Sequence, residues 1–323
     1  MRLFWLPLLG ACFSPTPPTG VPCATDSDCP SSQSCQANRT CDVTCNGCTV
    51  DADPGVTCWP AWLAHTIKFN APVRVEELRQ AGVSSGNPSL SPDNLEIYFN
   101  RMNNLFRATR TSLTTAFSPA LSVTELQSPA EESRLTITVD GLLAIFSSAR
   151  VGTLGGLDLW QATRSSPADV FGSITSDPLR AINDDNSQFD PEITADGLDL
   201  YWAPVFGQSQ TIHRASRTKI TDLFDAGTTL AITAPGTTEI FDPSVSPDQT
   251  VIVFAGQNGA ASSPHLFYST LATDGTYSSA LPVPDVGSSL RDGDAELSAD
   301  GCTLFFTSNR QGQNDIYAAT ARP

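Results

Sequence analysis

The chain has 323 residues, 40% of them hydrophobic and 16% charged, enough apolar material to bury a core and too much for global disorder. Its 34 acidic residues against 18 basic ones leave a net charge of −16, which excludes nucleic acid and anionic membrane surfaces as partners, since both need clustered Lys and Arg. Such a length holds one large domain or two ordinary ones.

The first residues read MRLFWLPLLGACFSPTPPTG. Arg2 precedes an apolar run over residues 3–9, far shorter than the about 20 residues that span a bilayer. The stretch resembles a bacterial lipoprotein signal, with Leu9-Gly10-Ala11-Cys12 as the lipobox. The resemblance implies removal of residues 1–11 and a lipid on Cys12 as the sole membrane attachment. Phe13 follows where an inner-membrane retention signal would have Asp. The expected location is therefore the outer membrane of a bacterial envelope, facing the periplasm or the cell surface. Residues 12–22 continue as a Pro-rich tether that favours extended conformations.

Seven of the nine cysteines crowd into residues 23–58: Cys23, Cys29, Cys35, Cys41, Cys45, Cys48 and Cys58. The segments between them are polar and cannot build a core, so disulfides must replace one. A structural zinc site needs two close ligand pairs, and only Cys45-x-x-Cys48 has that form. The spacing leaves the connectivity open, with about 15 pairings for six cysteines.

After a connector over residues 59–65, the chain repeats itself with a period of about 50 residues. Each copy holds an apolar strand, an Asp-centred turn and a second strand: PSLSPDNLEIYF, LTITVDGLLAIF, PEITADGLDLYW, PSVSPDQTVIVF and AELSADGCTLFF. Asp-Gly between strands is a hairpin signal, because glycine accepts positive φ; Asn94 and Gln249 stand in its place in two copies and predict a different turn there. A third strand follows (NLFRATR, DLWQATR, TIHRASR, HLFYSTL, DIYAATA), and a fourth near Phe69, Phe117, Phe171, Phe224 or Tyr277. Four short strands per repeat make a propeller blade. The last copy lacks a fourth strand, and residues 66–75 form a fourth strand without a first three. The fold expected for residues 66–323 is therefore all-β, a β-propeller of five four-stranded blades closed by pairing the two chain ends; six blades would require a repeat that the chain does not show.

The repeat resembles the TolB-type, WD-repeat-like propeller family, whose blades carry a D-P-x-φ-S-x-D-G core. In two copies the core continues into S-x-R and D-[LI]-[WY]: Ser148, Arg150 and Asp158-Leu159-Trp160, then Ser308, Arg310 and Asp315-Ile316-Tyr317. The other three blades lack the S-x-R segment. The resemblance implies a rigid ring that presents loops to a protein, peptide or glycan, without catalysis and as a monomer.

One equivalent position before the innermost strand holds Asn87, Arg134, Asp190, Asp242 and Asp294. Three carboxylates near one axis could take Ca²⁺, a hard cation that prefers oxygen; alternatively, they accept backbone N–H groups and fix the loops between blades. Five blades and three acids also resemble five-bladed glycosidases, in which an acid and a base flank the sugar bond. A glycan-processing hydrolase is thus the second reading, although catalytic acids do not usually share one repeat position. The three histidines form no triad: His213 takes a slot that is aromatic in other blades, His265 opens a third strand, and His65 lies in the connector. No phosphate-binding Gly-rich loop or nucleophile elbow is present. Cys302 is the one cysteine inside the propeller. If the six from Cys23 to Cys48 pair among themselves, Cys58 is within reach of it; the alternative is a buried thiol at Cys302 and a local partner for Cys58.

Overall fold

The computed structural model describes residues 34–35, 41–42, 57–206, 209–259 and 262–322. The chain divides into two units, 1–50 and 51–323. In the first, Ser34–Cys35 and Cys41–Asp42 pair antiparallel with Cys35 opposite Cys41. Cys12, Cys23, Cys29, Cys45 and Cys48 lie outside the described residues.

The second unit is the expected ring of five blades. Blade I contains Ser85–Leu90, Glu96–Arg101, Asn104–Thr109 and Leu121–Ser122. Blade II contains Glu132–Ile137, Leu143–Ser148, Asp158–Thr163 and Gly172–Thr175. Blade III contains Ser187–Ile193, Asp199–Phe206, His213–Ser216 and Thr228–Thr229, with Ser209–Gln210 added beside its second strand. Blade IV contains Glu239–Val245, Val251–Gln257, His265–Thr270 and Leu281–Pro282. Blade V contains Asp292–Leu297, Thr303–Ser308 and Asp315–Thr320. Its fourth strand is Val73–Arg74, opposite Ala318 and Tyr317, and Phe69 bridges to Ala321.

The second strands read as unbroken apolar runs because each blade is covered by a neighbour on both faces, so alternate residues are buried alike. Ile97-Tyr98-Phe99 and Ala144-Ile145-Phe146 show this: all six are at most 1% exposed.

All five hairpin turns are built in one way. The turn aspartates Asp93, Asp140, Asp196, Asp248 and Asp300 each accept the hydroxyl two residues earlier and the N–H two residues later, the latter at 2.9–3.1 Å. The next residue has positive φ: Gly141, Gly197 and Gly301, but also Asn94 (57°) and Gln249 (59°). The different turn expected for those two copies does not occur. The aspartate clamp and the closing N–H bond to the Ser91 or Ser246 carbonyl hold a non-glycine residue in the left-handed region.

Four of the turns, all but that of blade IV, are also capped from outside. Arg110, Arg164 and Arg217 donate Nε to the carbonyls of Asn94, Gly141 and Gly197 and lie over Phe117, Phe171 and Phe224. Blade V has Ala321 at the matching place and uses the connector instead. A short helix, Trp59–Leu63, has Pro60 in its first turn, where the fixed φ of proline is suited. It sends the Trp62 indole N–H to the Gly301 carbonyl at 2.9 Å. Trp59 covers Gly301 so closely that an added Cβ would lie 2.8 Å from the ring. Trp62 is fully buried with Ile67, Phe69, Phe306 and Tyr317. Cys58 donates its N–H to Asp300 and is disulfide-bonded to Cys302 across a Cα separation of 5.0 Å. The free-thiol alternative is thereby excluded.

Removing residues 66–75 takes away this strand and two core side chains, and leaves Asp315–Thr320 as an open edge. The deleted protein is expected to self-associate in light scattering and to unfold with a loss of at least about 3 kcal/mol, the scale of truncating one buried aromatic residue. A monomer with the parent midpoint would argue against closure through these residues.

A candidate site at the channel mouth

Each innermost strand carries a one-residue bulge, at Asn87-Pro88, Arg134, Asp190-Pro191, Asp242-Pro243 and Asp294-Ala295. Asn87, Asp190, Asp242 and Asp294 adopt φ of 52°, 53°, 54° and 52°. Among residues with a side chain, Asn and Asp tolerate that conformation best. Backbone geometry thus accounts for the recurrence of Asp and Asn at this place, and the side chains add blade-to-blade bonds. Asp242 Oδ2 accepts the N–H of Asp294 at 2.8 Å, Asp294 Oδ2 accepts that of Asn87 at 3.3 Å, and Asn87 Nδ2 donates to Ser133 Oγ at 3.0 Å.

Two residues further along lies a second ring that the sequence reading missed. Thr136, Glu192, Ser244 and Glu296 accept the N–H groups of Ile193, Val245, Leu297 and Leu90, each in the following blade. The available signal was a lone Glu inside an otherwise apolar inner strand, in PEIT and AELS.

Arg134, which holds the same repeat position as the aspartates, closes the channel. Its side chain is 0% exposed, and its Nη2 lies 3.4 Å from Glu192 Oε2 and 3.1 Å from Glu296 Oε2. The same nitrogen donates to the carbonyls of Pro243 and Ala295. Burial favours the neutral guanidine, but Glu192 and Glu296 outweigh it and hold the guanidinium charged.

The three aspartates meet, as expected, and share their charge unequally. Burial, and then the charges of Asp190 and Asp294, push the Asp242 carboxyl well above the usual range. Burial raises the Asp190 carboxyl as well. Asp294 is held below the usual range: burial opposes this, but Arg291, 2.7 Å from Asp294 Oδ1, and its hydrogen bonds outweigh burial. Burial, then Glu192, pushes Glu296 well up.

Calcium finds no ready cage among these groups. Asp294 is paired with Arg291, the Asp242 carboxyl is pushed up by burial and its acidic neighbours, and among the described residues no three His, Cys, Asp or Glu side chains are placed to hold a metal ion. His213 packs against Trp202 with a ring separation of 5.3 Å, as its aromatic slot predicts. His65 lies against Tyr268.

Above this floor opens a cavity of about 600 Å³, walled by all five blades. Its base holds the three aspartates, Arg291 and Asn87, with Phe241 beside them.

Proton linkage gives the floor a signature. Folding raises the Asp242 carboxyl, so its contribution is full below its unfolded pKa, near 4, and is lost as pH rises toward the folded value. Asp242→Asn keeps the neutral shape and suits the positive φ. The variant is expected to be more stable than the parent at pH 8, by on the order of 1 kcal/mol or more, and equal to it near pH 4. Urea midpoints at the two pH values check this, and an equal or lower midpoint at pH 8 would contradict it.

The fold and floor together define a five-bladed β-propeller whose channel is closed by a buried ion cluster and open to solvent above it. No family model and no curated protein matches the sequence. Among solved structures, the GH43_1 enzyme from Xanthomonas citri complexed with xylose is similar, with TM-score 0.53, 15% identity, and 80% of this chain and 91% of that one covered. The alpha-L-arabinofuranosidase from Lactobacillus brevis gives TM-score 0.52 at 14% identity, covering 77% of this chain and 94% of that one. A putative TolB from Agrobacterium tumefaciens gives 0.46 at 16% identity, covering 73% and 76%. At these identities the likeness is one of fold.

Proposed function

We propose that the protein is a lipid-anchored component of the bacterial envelope whose propeller is a non-enzymatic binding platform, with the channel mouth as its recognition surface. One observation carries the reading: the acids that could serve catalysis are tied to each other, to backbone N–H groups of the next blade and to Arg134 and Arg291. A glycosidase pair stands about 5–10 Å apart across an open cleft, whereas Asp242 is bound to the Asp294 N–H and Asp294 to Arg291. The disulfide between Cys58 and Cys302 supports an oxidising compartment, and the lipobox at Cys12 supplies the anchor. The partner on this reading is an envelope protein, peptide or glycan, bound by a monomeric ring.

Cys12→Ser is expected to move the protein from the membrane to the soluble fraction, with loss of label after growth in a clickable palmitate. Continued acylation and membrane retention would overturn the anchor. Affinity capture from solubilised envelopes, compared with a cavity-altered variant, tests the platform.

The glycan-processing hydrolase is the second reading. A carboxyl pushed up by burial and acidic neighbours, as Asp242 is, suits general acid chemistry, and the family-43 structures share the fold. Release of reducing ends from an oligosaccharide would favour it.

A further inference from the structure

We propose that the ligand of the channel mouth is a neutral saccharide, held by carboxamides that the fold leaves unused. This rests on the platform reading and names its ligand class. The carboxamides of Asn100, Asn103, Gln210 and Asn314 line the cavity from blades I, III and V, and among the described residues they make no hydrogen bond. By contrast, Asn87, Ser133 and Thr307 at the base of the same cavity, and Thr136 and Ser244 beneath it, all bond across blades. Asn103 is exposed and the other three are half-buried, so all four are free to exchange water for the hydroxyls of a ligand. A carboxamide both donates and accepts, and so does a sugar hydroxyl.

Other ligand classes fit less well. An anion meets three aspartates. A cation meets a floor that already holds two cations of its own, with Arg134 against Glu192 and Glu296 and Arg291 against Asp294. An extended peptide docks on a free strand edge, and here the lining comes from strand ends and loops at the channel mouth. A volume of about 600 Å³ lies within the usual range for small-molecule sites. The wall at blade I is low, because its second and third strands join through only Met102 and Asn103, both at positive φ. A chain of sugars can leave the cavity over that turn, past the exposed Met102 side chain.

The test is calorimetric titration of the full protein with cellohexaose, xylohexaose, arabinohexaose and chitohexaose, with reducing-end release assayed in parallel. At least one is expected to bind with Kd between about 10 μM and 1 mM, and the Asn100→Ala/Asn314→Ala variant is expected to lose about tenfold or more. Asn103→Gly, which keeps the turn conformation, serves as a second variant if the first is unstable. Absence of binding by all four overturns the saccharide, as does binding unchanged in both variants. If an envelope protein is then still captured, and lost with the same variants, the platform stands without the sugar. Binding with release of reducing ends upholds the saccharide and overturns the non-enzymatic reading.

Discussion

Replacing Cys58 and Cys302 with serine is expected to destabilise the propeller by on the order of 5 kcal/mol, less whatever strain the bond adds. The bond joins residues 244 apart in sequence, so reduction returns to the unfolded chain the freedom of nearly the whole repeat array. In the chain-entropy account the cost grows only with the logarithm of loop length, but here the loop is close to its maximum. The native ring is expected to change little, since Val73–Arg74, the Trp62 indole and the Cys58 N–H still hold blade V. Guanidinium unfolding with and without reductant measures the difference, and ligand affinity should be the same in both. A loss below about 1 kcal/mol would mean that the unfolded chain gains little freedom on reduction.

Arg134→Ala is expected to cost about 3–5 kcal/mol at neutral pH, the usual penalty for removing one partner of a buried ion cluster. Glu192 and Glu296 would then lie buried without their cation, and burial already raises both. Acids raised on folding contribute fully below their unfolded pKa and lose that contribution as pH climbs. The variant should therefore be close to the parent near pH 4 and fall steadily behind above it. Adding Glu192→Gln and Glu296→Gln to Arg134→Met removes the stranded charge and should recover most of the loss, because a neutral cluster of similar volume avoids the desolvation penalty. Urea midpoints from pH 4 to 8 read all three proteins. A pH-independent loss in Arg134→Ala would show that packing, and not charge, explains the role of Arg134.

Local patterning made the architecture legible in advance. Alternation, the Asp-centred turn and the period define a blade within a single repeat, and a blade lacking its fourth strand at one end matches a stray fourth strand at the other. Cys58 and Cys302 could be paired in advance because both were referred to the same blade, although a free thiol remained an equal alternative. The bulge aspartates were legible as a repeated position, and the structure bears out their role as acceptors for backbone N–H groups at Asp242 and Asp294.

Arg101 shows where reading by motif ends. It donates to Ser85 Oγ and the Leu78 carbonyl and lies over Phe99 and Phe106, as Arg150 does with Ser148, Leu126, Phe146 and Trp160. Yet it arises two residues after the phenylalanine of its second strand, where Arg150 arises four after its own. A long flexible side chain can reach one acceptor from several backbone positions, so the role survives when the motif does not.

The sequence by itself determined the blade, the number of blades, the closure of the ring and the identity of the residues at each repeat position. All of these follow from short-range alternation and turn chemistry copied five times. Only the tertiary structure decided that the connector becomes a helix capping blade V, that Arg134 plugs the channel between Glu192 and Glu296, and that burial with Asp190 and Asp294 pushes the Asp242 carboxyl up. Those groups come from different blades, and they meet only when the ring closes and removes water from its axis. A buried charge is governed by what surrounds it in space, and no period along the chain records that.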